Sequence, residues 1–176
     1  MSLTKIYLFV EGNDDELFFA RIIKPMLLNM YNDVEIIKYA QMKKEKVNLF
    51  LVSIETLNFD YIFTCDIDYI SSVGQKKKVI RSKFELVESE KIAVVIKEIE
   101  SWYMAGVPDT FSLQNGIRIM KDTNNLTKED FNQVYHGSYH SRIDFMIEIL
   151  KVYSHELAVK KNISYKFFSK NWIEST

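Results

Sequence analysis

The sequence predicts an α/β protein: a parallel sheet of about four strands flanked by helices, with a mainly helical C-terminal extension. Three observations predict it. Short, continuous apolar runs recur along residues 6–96, segments with three-to-four apolar spacing separate them, and beyond residue 105 the strand pattern ends while the helical one continues. The expected organisation is a core of residues 1–105 and a helical extension of residues 106–176 packed on it, with no Gly- or Pro-rich linker between them.

Residues 6–10, Ile-Tyr-Leu-Phe-Val, are continuously apolar, as in a strand buried on both faces. After Glu11-Gly12 the periodicity becomes helical, with Leu17, Phe18, Ile22, Ile23, Met26, Leu27 and Met30 on one face, Asn13 or Asp14 as N-cap, and Pro25 as a kink or division. Residues 34–39 are the second expected strand, residues 44–57 a helix with Val47, Phe50, Leu51 and Ile54 on one face, and residues 59–64 the third strand. A helix over 72–88 with a basic start, a fourth strand at 92–96 and a short helix from residue 97 that stops near Gly106 and Pro108 complete the alternation. Residues 110–125 read as a loop. Thr127 opens a Thr-Lys-Glu-Asp helix start, and residues 141–159 carry Ile143, Met146, Ile147, Leu150, Tyr153 and Leu157 at clean helical spacing.

With 176 residues, 47% hydrophobic and 14% aromatic, the chain can bury a sizeable core. No apolar run approaches the roughly 18 to 20 residues that cross a bilayer, and Met-Ser-Leu-Thr-Lys leads into a strand without a signal-peptide pattern. No membrane association is therefore expected, and the cytoplasm is the expected compartment. The single cysteine, Cys65, forms no intrachain disulfide and reads as a small core residue. A formal net charge of −1 excludes a uniformly cationic nucleic-acid binder. Charge is nonetheless uneven, with basic clusters at Lys43-Lys44-Lys46, from Lys76 to Lys83 and from Lys160 to Lys170, and acids around Glu11 to Glu16 and Glu85 to Glu100.

In an open parallel sheet, ligands bind where the carboxyl ends of the strands emerge, at the point where neighbouring connections diverge. Glu11 follows the first strand, Asp66 and Asp68 the third, and Glu100 the fourth. If the first and third strands are neighbours, Glu11 comes near Asp66, and Asp68 can turn back into the same crevice. Gly12 would allow a sharp turn and leave room for a ligand. Carboxylates gathered in one crevice repel each other, so a cation is expected to offset them. Without a histidine or thiolate in ligand position, an all-oxygen set suits Mg²⁺ or Mn²⁺ rather than zinc or copper. His136, His140 and His155 lack metal-ligand spacing to acids and read as ordinary surface or core residues. Asp14 and Asp15 also suit plain helix capping.

Val10-Glu11-Gly12-x-x-Asp15 followed by Asp66-x-Asp68 resembles the motifs of the Toprim domain, over roughly residues 5–105. That domain is the metal-binding α/β module of topoisomerases, bacterial primases, recombination proteins and nucleases of the overcoming-lysogenization-defect type. More narrowly, Glu11-Gly-Asn-Asp-Asp-Glu-Leu-Phe-Phe19, Ile99-Glu100-Ser-Trp102 and Asn162-Ile-Ser164-Tyr-Lys-Phe-Phe168 are similar to a bacterial family of stand-alone Toprim-like proteins of unestablished function, over nearly the whole chain. The resemblance implies Glu11 as general acid/base or metal ligand, Asp66 and Asp68 as Mg²⁺ ligands, Glu100 as the holder of a second ion, and Asp15 as a helix cap or outer support. No topoisomerase catalytic-tyrosine domain, primase zinc module or ATPase domain accompanies these motifs, so neither topoisomerase nor primase activity is expected.

The function implied is a Mg²⁺- or Mn²⁺-dependent nuclease or related phosphodiester-processing enzyme acting on DNA or RNA. Lys76, Lys77, Lys78 and Arg81, or Lys166 and Lys170 in the extension, would hold backbone phosphates. Trp102 and Tyr103 could stack a base, although an aromatic pair beside a sheet is more often core. The alternative is a non-catalytic, metal-binding module of a defence system that binds nucleic acid or a protein partner. A receiver-like phosphotransfer domain fits less well: no lysine follows a fifth strand, and Asp66-Ile-Asp68-Tyr-Ile lacks the threonine of haloacid-dehalogenase-type phosphatases.

Overall fold

Four of the apolar runs are strands: β1 (Lys5–Val10), β2 (Asp33–Lys38), β3 (Asp60–Asp66) and β4 (Ile92–Val95). They form one parallel sheet in the order β2-β1-β3-β4. The computed structural model describes residues 4–135 and 139–174, which leaves His136 outside the described residues. The chain divides into two compact units, Met1–Val94 and Val95–Thr176. This division falls before the helix that carries Glu100.

In the first unit, register follows from the buried pattern. Ile6 lies opposite Val34 on one side and Asp60 on the other, and Phe9 opposite Phe63. Because side chains alternate along a strand, Phe9, Tyr61, Phe63 and Cys65 face the same way. With Ile37 and Tyr39 they form a buried cluster with Val47, Leu51 and Ile54 of α3 (Lys44–Thr56) and Ile80 of α4 (Val73–Lys83). The Phe9 and Phe63 rings stack at 5.3 Å between centroids, and Tyr39 lies 4.3 Å from Phe63. Full burial of each such ring contributes about 1.5–3 kcal/mol.

Local departures from the expected elements have identifiable causes. The first helical segment is divided into α1 (Asn13–Phe18), a π-helical turn (Phe19–Ile23) and α2 (Lys24–Leu27). The Lys24 N–H donates to Phe19 O, one residue further back than the α pattern. Pro25 has no N–H to continue the ladder, and the register change falls in the turn just before it. The third strand runs two residues beyond the expected end, through Asp66. The basic helix α4 stops at Lys83 rather than 88, while Phe84 and Val87 beyond it remain buried.

The second unit is helical: α5 (Ile99–Ala105), α6 (Asp109–Gln114), α7 (Lys128–Val134), α8 (Arg142–Val152), α9 (His155–Lys161), α10 (Ile163–Phe168) and a closing π-helical turn (Ser169–Ile173). Residues 109–114 are helical where a loop is expected, because a polar segment this short offers too few apolar positions to reveal a period. The helix start at Thr127 is present: its hydroxyl accepts from Asp130 N at 3.2 Å, and the Asp130 carboxylate accepts from Thr127 N at 3.0 Å. The helix expected over 141–159 is two helices. Tyr153 leaves the helical conformation, its hydroxyl donates to Trp102 O at 2.9 Å, and Ser154 restarts the chain by capping Leu157 N at 3.3 Å.

Asn162 ties α5, the loop at Thr123 and α10 together. Its Oδ1 accepts from Tyr165 N at 2.9 Å and Ser164 Oγ at 2.8 Å, and its Nδ2 donates to Ser101 Oγ at 3.3 Å and Thr123 Oγ1 at 3.1 Å. Ser164 Oγ in turn accepts from Trp102 Nε1 at 2.8 Å. The Glu-x-Trp and Asn-x-Ser segments singled out in the sequence therefore meet in one buried polar network, where every bond made avoids the cost of an unmet polar group. No helix among the described residues is long and apolar enough to cross a membrane.

Candidate carboxylate site at the sheet edge

β1 and β3 are hydrogen-bonded parallel neighbours, so residues just past Val10 and those at the end of β3 emerge side by side. In the order β2-β1-β3-β4, the chain leaves β1 toward β2 on one side and leaves β3 toward β4 on the other. The gap between β1 and β3 is therefore the switch point at which α/β sheets bind ligands. Thr64, buried on β3, donates its hydroxyl to Phe9 O at 2.8 Å, and this bond ties the two strands two residues before Glu11 and Asp66.

Glu11 reaches across that gap. Its Oε1 accepts the Asp66 N–H at 3.1 Å and the Tyr39 hydroxyl at 3.3 Å. The same hydroxyl is 2.9 Å from Thr64 O, so one phenolic proton serves two acceptors and the carbonyl takes the larger share. Burial, followed by the Glu11 charge, raises the Tyr39 pKa, which keeps the hydroxyl a donor. Burial also raises the Glu11 pKa above the ordinary carboxylate value. The Asp66 N–H and the Lys76 charge act against that rise, and Asp68 adds to it.

Asp68 lies on the turn after β3 with φ +54°, in the left-handed region that aspartate tolerates better than most residues. Its Oδ2 accepts from Lys76 Nζ at 2.5 Å. The Lys76 side chain is only 7% exposed while that of Asp68 is 48% exposed, so the lysine comes up from beneath the carboxylate. Lys76 is placed by the first turn of α4, whose cap Ser72 accepts from Gln75 N at 3.2 Å. Burial works against its charge, but the hydrogen bond to Asp68 and the neighbouring negative groups outweigh burial and raise its pKa. Cys65 is buried beside these groups, and its thiol is pushed up to about 12, first by burial, so it supplies no thiolate.

Some expected site residues have other roles. Asp15 caps α1: its Oδ2 accepts from Gly12 N at 3.2 Å. Gly12 has φ −142° and ψ −164°, an extended backbone open to any residue, and a Cβ there would meet Asp15 Oδ2 at an ordinary 3.8 Å. The chain bends at Gly12 as expected, between β1 and α1, but in a conformation that does not require glycine. Glu100 lies in the second unit on α5, 3% exposed and ion-paired with Arg142 of α8. Arg142 also lies over the Phe131 ring at 5.2 Å and donates Nε to Asn132 Oδ1 at 2.9 Å. Sequence reasoning missed this arginine, since nothing local links residues 100 and 142.

The basic residues also separate. Lys76 is buried in its pair with Asp68, unlike the surface group to which the sequence assigns it, and Lys77 Nζ donates to Ser89 O at 2.8 Å. Lys78, Arg81, Lys166 and Lys170 are exposed. Trp102 and Tyr103 are fully buried, so neither presents a face to a base. The exposed aromatic beside the carboxylates is Tyr69, directly after Asp68. Its place directly after the Asp66-x-Asp68 motif is the signal that could have identified it.

Glu11, Asp66 and Asp68 offer oxygen donors alone, which fits Mg²⁺ or Mn²⁺ in kind. Among the described residues, no three His, Cys, Asp or Glu are grouped so as to hold a metal ion. Mg²⁺ commonly takes one or two carboxylates, waters and substrate phosphates, a demand that Glu11 and Asp66 meet on donor chemistry. Asp68 is turned to Lys76 instead. Compared with models of protein families, with curated proteins and with solved structures, the chain matches none.

Proposed function

We propose that the first unit is a Toprim-like phosphodiesterase unit that cleaves DNA or RNA with Mg²⁺ or Mn²⁺. The observation that carries this reading is the bond across the switch point, Glu11 Oε1 to Asp66 N–H, which pins a half-buried carboxylate beside an aspartate at the end of the neighbouring strand. An ion held by Glu11 and Asp66 would polarise the scissile phosphate and make bound water a better nucleophile. The chain itself supplies orientation and charge. Glu11 Oε1 is occupied by Asp66 N–H and Tyr39, so Oε2 is the oxygen left, either to hold the ion or, where Asp66 alone holds it, to exchange a proton. Burial, by raising its proton affinity, suits it to that exchange. Lys76 offsets Asp68, and the exposed Lys78 and Arg81 of α4 are available to backbone phosphates.

The test is cleavage of single-stranded DNA, double-stranded DNA and structured RNA with Mg²⁺ or Mn²⁺. Glu11→Gln and Asp66→Asn are each expected to lose about 10²-fold or more of the rate. Activity equal to wild type in both variants would sink the assignment.

A second reading is favoured by the Lys76–Asp68 pair, which already places a cation among the carboxylates. On that reading the unit binds nucleic acid or a protein partner without turnover. Calorimetry with Mn²⁺ and an oligonucleotide separates the two, because binding without cleavage under any of these conditions supports the binding module.

A further inference from the structure

We infer that Tyr69 and the groove beside it form a stacking subsite for an unpaired base, so that nucleic acid approaches the carboxylate site as a single strand. This inference rests on the nucleic-acid part of the function proposed above. Tyr69 is the most exposed of the large hydrophobic residues described, at 106% relative exposure. Its backbone is nonetheless held in a closed turn: Ile70 N donates to Ile67 O at 3.1 Å, and Asp68 within the turn is anchored by Lys76 at 2.5 Å. Tyr69 is therefore a ring offered to solvent by a fixed loop, one residue from a site carboxylate.

The groove beside it measures about 530 Å³ and is lined by Tyr69, Ile70, Ser71, Gln75, Lys78 and Val79. Tyr69, Ile70 and Val79 give it apolar surface suited to the flat face of a base. Lys78 brings a cation to the same groove, with exposed Arg81 one turn further along α4. Ser71 Oγ donates to Gln75 Oε1 at 2.6 Å, which occupies that amide oxygen and leaves the amide nitrogen, Nε2, as the donor Gln75 offers to the groove it lines. An aromatic face joined to a phosphate-binding cation is the pairing by which single strands are held without sequence preference. A base inside a duplex has both faces covered by its neighbours, so the subsite selects unpaired nucleotides.

The experiment uses the full chain in EDTA, so that no turnover intervenes, and reads fluorescence anisotropy of fluorescein-labelled oligothymidylate and of a labelled hairpin duplex. Tyr69→Ala is expected to weaken oligothymidylate binding by about 5- to 150-fold, the scale of one base stacked on an aromatic ring. Tyr69→Trp should retain it, and the duplex affinity should not change. The salt dependence of Tyr69→Ala should match wild type, whereas Lys78→Ala should lower the slope by about one phosphate contact. An unchanged melting temperature for Tyr69→Ala verifies the fold.

The subsite is overturned if Tyr69→Ala binds oligothymidylate as wild type does, if it weakens single strand and duplex by the same factor, or if the wild-type chain binds neither. Cleavage is scored separately. A chain that binds through Tyr69 but cleaves nothing keeps the subsite and loses the nuclease reading. Cleavage with Tyr69→Ala binding unaltered does the reverse.

Discussion

The Tyr39 hydroxyl bridges the core and the candidate site. Its ring packs between Phe63 at 4.3 Å and Phe84 at 5.7 Å, while its oxygen reaches Thr64 O and Glu11 Oε1. Tyr39→Phe keeps the packing and removes the donor, which leaves the buried Thr64 carbonyl short of a partner at a cost of about 1–3 kcal/mol. Urea unfolding measures that loss. If Glu11 acts as proposed, the same variant should lower cleavage by about 10- to 100-fold through misorientation of the carboxylate. A variant with unaltered stability and cleavage would show that neither bond matters. Lys76 illustrates why charge alone misleads at this scale: one residue in a basic run is buried against a carboxylate, while Lys78 faces solvent.

Among the elements, the break between α8 and α9 depends on one close approach. Gly106 ends α5 with an ordinary φ of −87°, so its backbone needs no glycine. Its need is for space, because a Cβ at Gly106 would overlap the Tyr153 ring. Tyr153 is held there by its bond to Trp102 O, and Ser154 N donates to Gly106 O at 2.8 Å. Gly106→Ala is therefore expected to destabilise the chain by about 1–3 kcal/mol through overpacking, read from the shift in the urea midpoint. A midpoint equal to wild type would show that the ring moves aside freely. The same contact explains why a clean helical period over 141–159 does not yield one helix: the Tyr153 hydroxyl bond and the Ser154 cap outweigh the propensity of two residues to stay helical.

For the whole molecule, acid stability should fall in two stages, one from each unit. In the second unit, His155 has Nδ1 2.8 Å from Tyr165 OH and Nε2 3.3 Å from Ser169 Oγ. Burial lowers its pKa below the ordinary histidine value, against the pull of Glu174. The folded chain then binds the proton less readily than the unfolded chain. Its contribution is fully present above about pH 6.5 and is lost as pH falls through the depressed value. In the first unit, burial opposes ionisation of Asp60, but Lys91 at 2.5 Å and Tyr31 at 2.8 Å outweigh it, and the pKa is lowered. That stability is present above about pH 3.9 and is lost as pH falls through the folded value. Melting temperature followed against pH should thus decline first below about pH 6.5 and again below about pH 3.9. His155→Gln should remove the first decline and Asp60→Asn the second; a first decline that survives His155→Gln would assign it elsewhere.

The sequence by itself determined the α/β class, four strands close to their observed limits, and the placement of Glu11 and Asp66 at strand ends, because buried strands and amphipathic helices leave periods that a local window records. The capping box at Thr127 was legible for the same reason, since both partners lie within one turn. Tertiary structure alone decided which charges meet. Asp68 takes Lys76, Glu100 takes Arg142, and Tyr153 breaks a helix to reach Trp102, pairings between residues that no local period relates. It also decided that Tyr69 is surface, since the exposure of an aromatic ring after a strand is a property of the packed chain. Strand and helix are set largely by neighbours along the backbone, whereas the partners of a charge or a ring are set by distances that exist only after the sheet and helices have closed on each other.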